Sequence, residues 1–524
     1  MTDAELEHEI ARRWPGQAEC RLDGARSEVS CAPAVLADLC AWLFQEMGFA
    51  FAGLIVEEGV AEWQLRYVFY GEHPAGQVHV LLGAPLAERR IPSIAAAVHA
   101  ADWHERESED LFGLVFEGHP RLGDFVLHDD AWQEGVEPMR HGFSARTPVG
   151  ERRPNTAWRP RRLVQAPGAF VMPVGPVFSG LAESVHFQLE TVGEDVIRAF
   201  PRLFYKYRGI EKLAEERPVE DVLLLAERFA ATTAVAHALA FCQAVEAVCG
   251  ATLPARAEIL RVFLAELERF RHHVGAVAGI CESTALAVAA SQAAMLEEEL
   301  LRTSGELAGH RYLFGLVVPG GLATDLADEN LAAALRRCQS VLRQLDQSGA
   351  MLRLTSSFLD RLEEVGAIGE REAREHGLVG PIARASGISR DLRRTQPYGA
   401  YGRFAFDVPL EHEGDGYARW RVLLAEARQS VRLMDQAIAA LAAGPVRVPI
   451  QPQPGAALGG VEAPRGAAFH WVRLDPGGTV TRYRIVPPSF VNWHGFHLAV
   501  EAFAFQDFPI ILATLDLSVA ENDR

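Results

Sequence analysis

Ala257-Glu-Ile-Leu-Arg-Val-Phe-Leu-Ala-Glu-Leu-Glu-Arg-Phe-Arg-His-His-Val-Gly275 is the stretch that decides the fold. Wound as an α-helix, it gathers Ile259, Val262, Phe263 and Phe270 into one apolar arc, the pattern of a helix packed inside a bundle. Glu266 and His273 fall within that arc, with Arg269 at its border. Ionisable groups are costly to bury unless paired. This helix therefore carries either a structural salt-bridge network or charges with a functional task.

Similar periodicity recurs at about 219–249, 283–308, 328–364 and 417–443, and strand character returns at Phe469–Leu474 and Val480–Ile485 around the turn residues Asp475 to Gly478. Nearer the amino end the period changes to two. Trp63, Leu65, Tyr67 and Phe69 alternate, a Gly71–Gly76 turn follows, then Val78, Val80 and Leu82, which predicts a hairpin. Apolar stretches at Pro33–Met47 and Pro92–Ala101 read as helices flanking it. Between the two regions, Arg146–Arg162 holds six arginines with Pro148, Pro154 and Pro160, reading as a solvated linker or a basic strap for an acidic partner. The expected architecture is α+β: a small α/β domain over 1–145, a linker over 146–166, and a mainly helical bundle with small flanking sheets over 167–524.

A chain of 524 residues, 49% apolar, supports two cores. Its formal charge of −18 argues against a nucleic-acid or anionic-membrane surface. The acidic stretch Met1–Trp14 does not read as a secretory signal. No uncharged apolar run of membrane-spanning length is apparent; Gly275–Leu296 comes nearest and is interrupted by Glu282. Seven scattered cysteines, none in a C-x-x-C pair, point to reduced thiols. Cys242 and Cys249 share a helical face, as core packing would place them. No Gly-x-Gly-x-x-Gly loop follows a strand, so NAD would bind elsewhere.

Several blocks carry a family resemblance. Trp103-His-Glu-Arg-Glu-Ser-Glu-Asp-Leu-Phe-Gly113 with Phe116-Glu-Gly-His-Pro120 resembles the signature of the C subunit of NADH-quinone oxidoreductase. Its four acids then imply a docking surface toward neighbouring subunits, where composition alone reads as a solvated edge. Over about 170–524 the chain resembles the D subunit of the same enzyme and the large subunit of nickel-iron hydrogenases of the formate-hydrogenlyase type. The matching blocks are Tyr207-Arg-Gly-Ile-Glu-Lys212, Glu266-Leu-Glu-Arg269 with His273, Gly380-Pro-Ile-Ala-Arg-Ala-Ser-Gly387 running to Asp391-Leu-Arg393, Pro397-Tyr398, Gly414-Asp415 with Arg419, Pro488-Ser-Phe490 and Asp523-Arg524. The two lysines, Lys206 and Lys212, sit in or beside the first block.

In such hydrogenases four thiolates hold nickel and iron, as soft anionic donors must. The resemblance puts Ala230 and Thr233 at the first cysteine pair and Ser518 and Glu521 at the second, so a nickel-iron centre is not expected. Quinone-reducing D subunits use a loop His and a Tyr to hydrogen-bond the quinone head; here Phe178, Ala182 and Ala231 stand at those places. His186, four residues on, is a candidate replacement or a satisfied strand residue. Glu183 occupies the place of a proton-relay Glu, although Ser184 replaces the Pro beside it. Arg384 resembles the Arg overhanging the hydrogenase metal pocket; with Ser386, Asp391 and Arg393 it forms a polar constellation that is otherwise a loop held by ion pairs. Asp516 is a further pocket-lining candidate. Arg208, Arg228 and His273 match residues that face the terminal iron-sulfur cluster of a partner subunit.

The resemblance thus implies a peripheral-arm subunit, cytoplasmic on the inner face of the membrane. It would dock on a small iron-sulfur subunit and other arm subunits and couple to antiporter-like membrane subunits, with no cofactor held by this chain. Two functions remain open: a scaffold that transmits conformational change, or an enzyme subunit whose remodelled pocket reduces a quinone or another small oxidant.

Overall fold

In the computed structural model, the described residues are 3–23, 26–71, 76–129, 131–133, 135–144, 146, 164–165, 167–178 and 183–524. Strands β1 (Ala18–Asp23), β2 (Arg26–Cys31), β3 (Ala50–Glu58), β4 (Glu62–Tyr70) and β5 (Gln77–Pro85) form one sheet in the order β1-β2-β5-β4-β3. The expected hairpin is β4–β5, with Trp63 opposite Ala84 and Tyr70 opposite Gln77. β2 and β5 run parallel; the other neighbours are antiparallel. One face is covered by the helical stretch Leu36–Glu46 and by the helix Asp102–Phe112. Pro92–Ala101, expected as helix, is instead turns and a short 3-10 segment. Glu105 draws this stretch in, accepting from the Ile94 N–H at 2.8 Å and the Ser93 hydroxyl at 2.5 Å, and the helix begins at Asp102.

The opposite face of the sheet is also buried. Ala50, Ala52, Ile55, Val68 and Tyr70 pack against Val379, Leu392, Phe469, Trp471 and Val486 from the second half of the chain. A strand buried on both faces reads as an unbroken apolar run, which is why Ala50–Val56 shows no alternation. Gly53 marks the closest approach: a Cβ there would lie 2.9 Å from Val486 Cγ2.

In the second half, Ala255–Ser283 is the central helix, packed by Gly416–Ala439 and Ala287–Ala308, and Asp328–Leu352 packs in turn on those two helices. The segment expected as one helix over 219–249 is two, Val219–Arg228 and Ala234–Val248, separated by a 3-10 turn. Ala234–Val248 lies against the hairpin of strands 455–463 and 466–474. The window Ala231–Val248 is long and apolar enough to cross a membrane, yet 72% of it is buried inside the protein, as for a core helix. Within the linker, 147–163 and 166 lie outside the described residues. All seven cysteines are free thiols.

The Trp103–Gly113 motif faces inward. Glu107 binds Arg484 at 2.5 Å and Arg524 at 2.7 Å, each side chain at most 4% exposed. Glu211 holds the same two arginines and Arg482 at 3.2–3.3 Å. Of the four acids expected on a docking surface, Glu107 instead makes a contact between the two halves of one chain, and Glu105, Glu109 and Asp110 accept hydrogen bonds within the first half. Removing one partner of a buried pair leaves the other charge uncompensated, at a cost of about 3–5 kcal/mol. Glu107→Ala is accordingly expected to lower stability by that much, measured by chemical unfolding; an unchanged denaturant midpoint would contradict the assignment.

Candidate functional site

Two segments define the site. One is the break after the helix Val219–Arg228, carrying Ala230, Thr232 and Thr233. The other runs from Asp516 to Arg524. Asp516 ends the helix Phe508–Leu515 in the left-handed conformation, φ 49°, and the Ser518 hydroxyl caps the following turn by accepting from the Glu521 N–H at 3.3 Å. Arg208 ties the segments together. Its guanidinium donates to the carbonyls of Phe229 at 2.9 Å, Asp523 at 2.8 Å and Ala520 at 2.5 Å.

Between the segments lies Arg465, at the turn joining strands 455–463 and 466–474. Its Nε donates to the Asp516 carbonyl at 2.6 Å, its Nη2 reaches Asp516 Oδ1 at 3.3 Å, and its Nη1 reaches Glu521 Oε1 at 3.2 Å and the Thr232 hydroxyl at 3.5 Å. The Thr233 hydroxyl donates to Glu521 Oε1 at 3.4 Å, and Glu521 Oε2 accepts from the Ser489 N–H at 3.0 Å. His272 Nε2 is 3.5 Å from Asp516 Oδ2. Burial pushes the Glu521 carboxyl up, but Arg465, His237 and the hydrogen bonds from Ser489 together outweigh it and leave the group below the ordinary range. At Asp516 burial prevails over Arg465 and the carboxyl is held above its usual value.

A buried hydrogen-bonded chain approaches from the sheet. The Tyr483 hydroxyl is 2.7 Å from His470 Nδ1, and His470 Nε2 is 3.0 Å from His237 Nδ1. Burial lowers His237 to about 4, with the Glu521 charge acting against it. These aligned groups have the geometry to pass a proton between ring nitrogens.

The candidates read from sequence divide among three places. Glu183 and Asp516 belong to this site; Glu183 accepts from the N–H groups of Val519 and Ala520, and so caps the segment that carries Glu521. Arg384 and Asp391 do not overhang it. They lie in a second, fully buried network, where Arg384 binds Glu426 at 2.6 Å and Glu462 at 2.8 Å, while Asp391 binds Arg393 at 2.6 Å and Arg393 binds Glu266 at 3.0 Å. Ser386 in the same loop donates to the Ile382 carbonyl. His273 joins that network through Glu426, at 2.9 Å, whereas its neighbour His272 is the one turned toward Asp516. His186 is separate again, lining a cavity of about 570 Å³ with Arg202, His494 and His497. Arg228 is half exposed and lies over the Phe314 ring at 5.5 Å. Ala182 lies outside the described residues.

Arg465, His237, His272 and His470 were missed in the sequence. The available signal was Glu462-Ala-Pro-Arg-Gly466, a charged turn in which Gly466 has φ 133° and a Cβ would collide with Gly380. The positions at which the resemblance puts the four thiolates, Ala230, Thr233, Ser518 and Glu521, offer a methyl group, two hydroxyls and a carboxylate, with the Arg465 guanidinium bonded to the last. Such a set does not fit a thiolate-bound nickel-iron group, and no step is derived through one.

Residues 29–149 match the family model described as respiratory-chain NADH dehydrogenase, 30 Kd subunit, and residues 287–453 and 448–524 match that of the 49 Kd subunit. Formate hydrogenlyase subunit 5 of Escherichia coli is 30% identical over 445 residues, covering 83% of this chain and 77% of the relative. The C/D subunit of NADH-quinone oxidoreductase from Bdellovibrio bacteriovorus is 27% identical over 474 residues, 82% and 83% of the two chains. Hydrogenase-4 component G of Escherichia coli is 29% identical over 439 residues, 83% and 76%. Phe178, Ala230, Ala231 and Thr233 fall between the stretches matched by the two family models.

Arg384→Met would strand Glu426 and Glu462 without their cation, an expected loss of about 3–5 kcal/mol at neutral pH. Burial raises the Glu426 carboxyl, but Arg384 and His273 overturn this and hold it well below its ordinary value. A depressed carboxylate stabilises the fold above its unfolded pKa and loses that contribution as pH falls. The gap between parent and variant should therefore narrow below about pH 4.5. Unfolding curves at pH 7 and pH 4 check this; a gap that widens in acid would refute it.

Proposed function

This chain belongs to the family of respiratory-chain NADH dehydrogenase 30 and 49 Kd subunits and related hydrogenase subunits, fused in one polypeptide, and on that premise we propose that it is the framework subunit on which a partner's electron-transfer chain ends. The relatives are subunits of complex I-like and hydrogenase assemblies, and this chain is a subunit of an energy-converting oxidoreductase of that kind. In the proposed reading it docks on a small iron-sulfur subunit and on other arm subunits, lies on the cytoplasmic side of the membrane through antiporter-like partners, and couples electron transfer to them.

One observation carries the reading: Arg465 bridges Asp516 and Glu521 where the resemblance puts the metal ligands. A guanidinium remains protonated at any ordinary pH and has no redox chemistry. It supplies fixed positive charge among carboxylates and holds the two segments in register. Arg208 and Arg228 supply further positive charge at the same end, the side proposed to face the partner's cluster.

A second reading, reduction of a quinone or another small oxidant in the remodelled pocket, is favoured by the Tyr483–His470–His237 chain. It ends beside Glu521 and could deliver protons to an acceptor there.

Purification of the complex with its partners tests both. Elemental analysis is expected to find no nickel assignable to this chain; about one nickel per chain lost on Asp516→Asn would overturn the framework reading. Added quinone is expected to leave the magnetic-resonance signal of the terminal cluster unchanged. A quinone-dependent shift that Arg465→Ala abolishes would establish the second reading instead.

A further inference from the structure

Outside this site, three imidazoles converge at the junction of the two halves. His99 comes from the 3-10 turn His99–Ala101, His376 caps the helix Glu370–Glu375, and His494 ends the helix Pro488–His494. Ring centroids are 4.4 Å apart for His99 and His376, 4.7 Å for His99 and His494, and 5.0 Å for His376 and His494. One nitrogen from each lies within 4.8 Å of the others. His376 is only 7% exposed. Its Nδ1 donates to the Glu372 carbonyl at 2.9 Å, which leaves Nε2 as the lone-pair nitrogen, and Nε2 has no hydrogen-bond partner among the described residues.

That combination needs an explanation, because a buried ring nitrogen without a partner forfeits a hydrogen bond that water would make. A carbonyl on one imidazole nitrogen, fixing the tautomer and aiming the other, is the usual outer arrangement of a metal-ligating histidine. A carboxylate stands alongside: Asp102 Oδ2 is 3.4 Å from His494 Nε2, while Asp102 Oδ1 is held by His119 at 3.0 Å. Access is available, since His99, Asp102 and His494 line the 570 Å³ cavity.

We propose that His99, His376 and His494 form a binding site for a divalent transition-metal ion, zinc foremost, that clasps the first domain to the second. Three nitrogens with a carboxylate or water in the fourth position is a coordination set zinc accepts, at metal–nitrogen distances of about 2.0–2.1 Å. Tetrahedral ligands at that distance are about 3.4 Å apart, so binding draws the rings inward by about an ångström from their present spacing. Two of the ligands follow elements of the second half and one belongs to the first, so the ion adds a cross-link where the sheet β1–β5 meets the bundle.

The test uses the full chain, exposed to zinc or to cobalt and then desalted. The parent is expected to retain about one zinc per chain and, with cobalt, to show the visible ligand-field bands of a tetrahedral ion. His376→Gln and His99→Gln should each weaken retention at least about tenfold and abolish the bands, with the far-ultraviolet circular dichroism unchanged. His99 is partly exposed, so its variant keeps the test valid if His376→Gln misfolds. Failure of the parent to retain zinc, or equal retention and equal bands in the His99 variant, overturns the proposal. Neither result bears on the nickel and quinone experiments, which concern a different group of residues.

Discussion

Arg524 is fully buried, and its guanidinium is divided between Glu107 from the first domain and Glu211 from the second. The placement of the site depends on that contact. It fixes the segment from Asp516 onward, which carries Glu521 into the site, and it shares both carboxylates with Arg484 on the last long strand. Three arginines, with Arg482, therefore meet two carboxylates between the halves. Burying so much charge contributes little net stability against an apolar alternative. What it confers is register: only one placement of the motif helix Asp102–Phe112 satisfies the acids, and any other leaves charges unpaired in the interior.

The same logic operates one layer away, among Arg465, Asp516 and Glu521, where the resemblance puts a thiolate set in hydrogenases. A metal held by four sulfurs clamps two segments by coordination; here the clamp is a guanidinium and its hydrogen bonds. The two segments meet at defined backbone features, the break at Ala230–Thr233, the left-handed Asp516 and the capping Ser518. There the hydroxyls of Thr232 and Thr233, the two carboxylates and the guanidinium bond one another.

Much of this arrangement was legible in the sequence where a single helix or strand decided it. The β4–β5 hairpin follows from strict alternation between Trp63 and Leu82, and the bundle helices follow from their apolar arcs. Periodicity reports which face turns inward, however, and not which partner it meets. Glu266 and His273 were correctly read as buried, but the partner of His273 is Glu426, 153 positions away, which no local pattern discloses. His272 and His273 differ by about 100° around the helix, enough to send one to Asp516 and the other into the ion network. The broken helix at 229–233 escaped notice because Ala and Thr continue an apolar pattern without a Gly or Pro to mark the stop. The resemblance misplaced Arg384 for a related reason: an arginine in a matching block carries no information about which acids will claim it.

The two ion networks share a property that bears on how such a subunit responds to electrons. Around Arg384, three arginines face four carboxylates, Glu266, Asp391, Glu426 and Glu462; around Arg465, one arginine faces two. Each is one cation short, and a buried cluster short of a cation lowers its energy by taking up a proton. Burial and the Asp391 charge raise Glu462 above its ordinary value in the first network, and burial raises Asp516 in the second, so those carboxyls are where a proton is held most readily. The occupancy of such a proton depends on every charge nearby. A negative charge arriving at the exposed end, where Arg228 lies, favours protonation, and its departure favours release. In the proposed reading, these arginines carry no redox chemistry of their own, and the carboxylates beside them are groups whose protonation would answer to redox change in a neighbour.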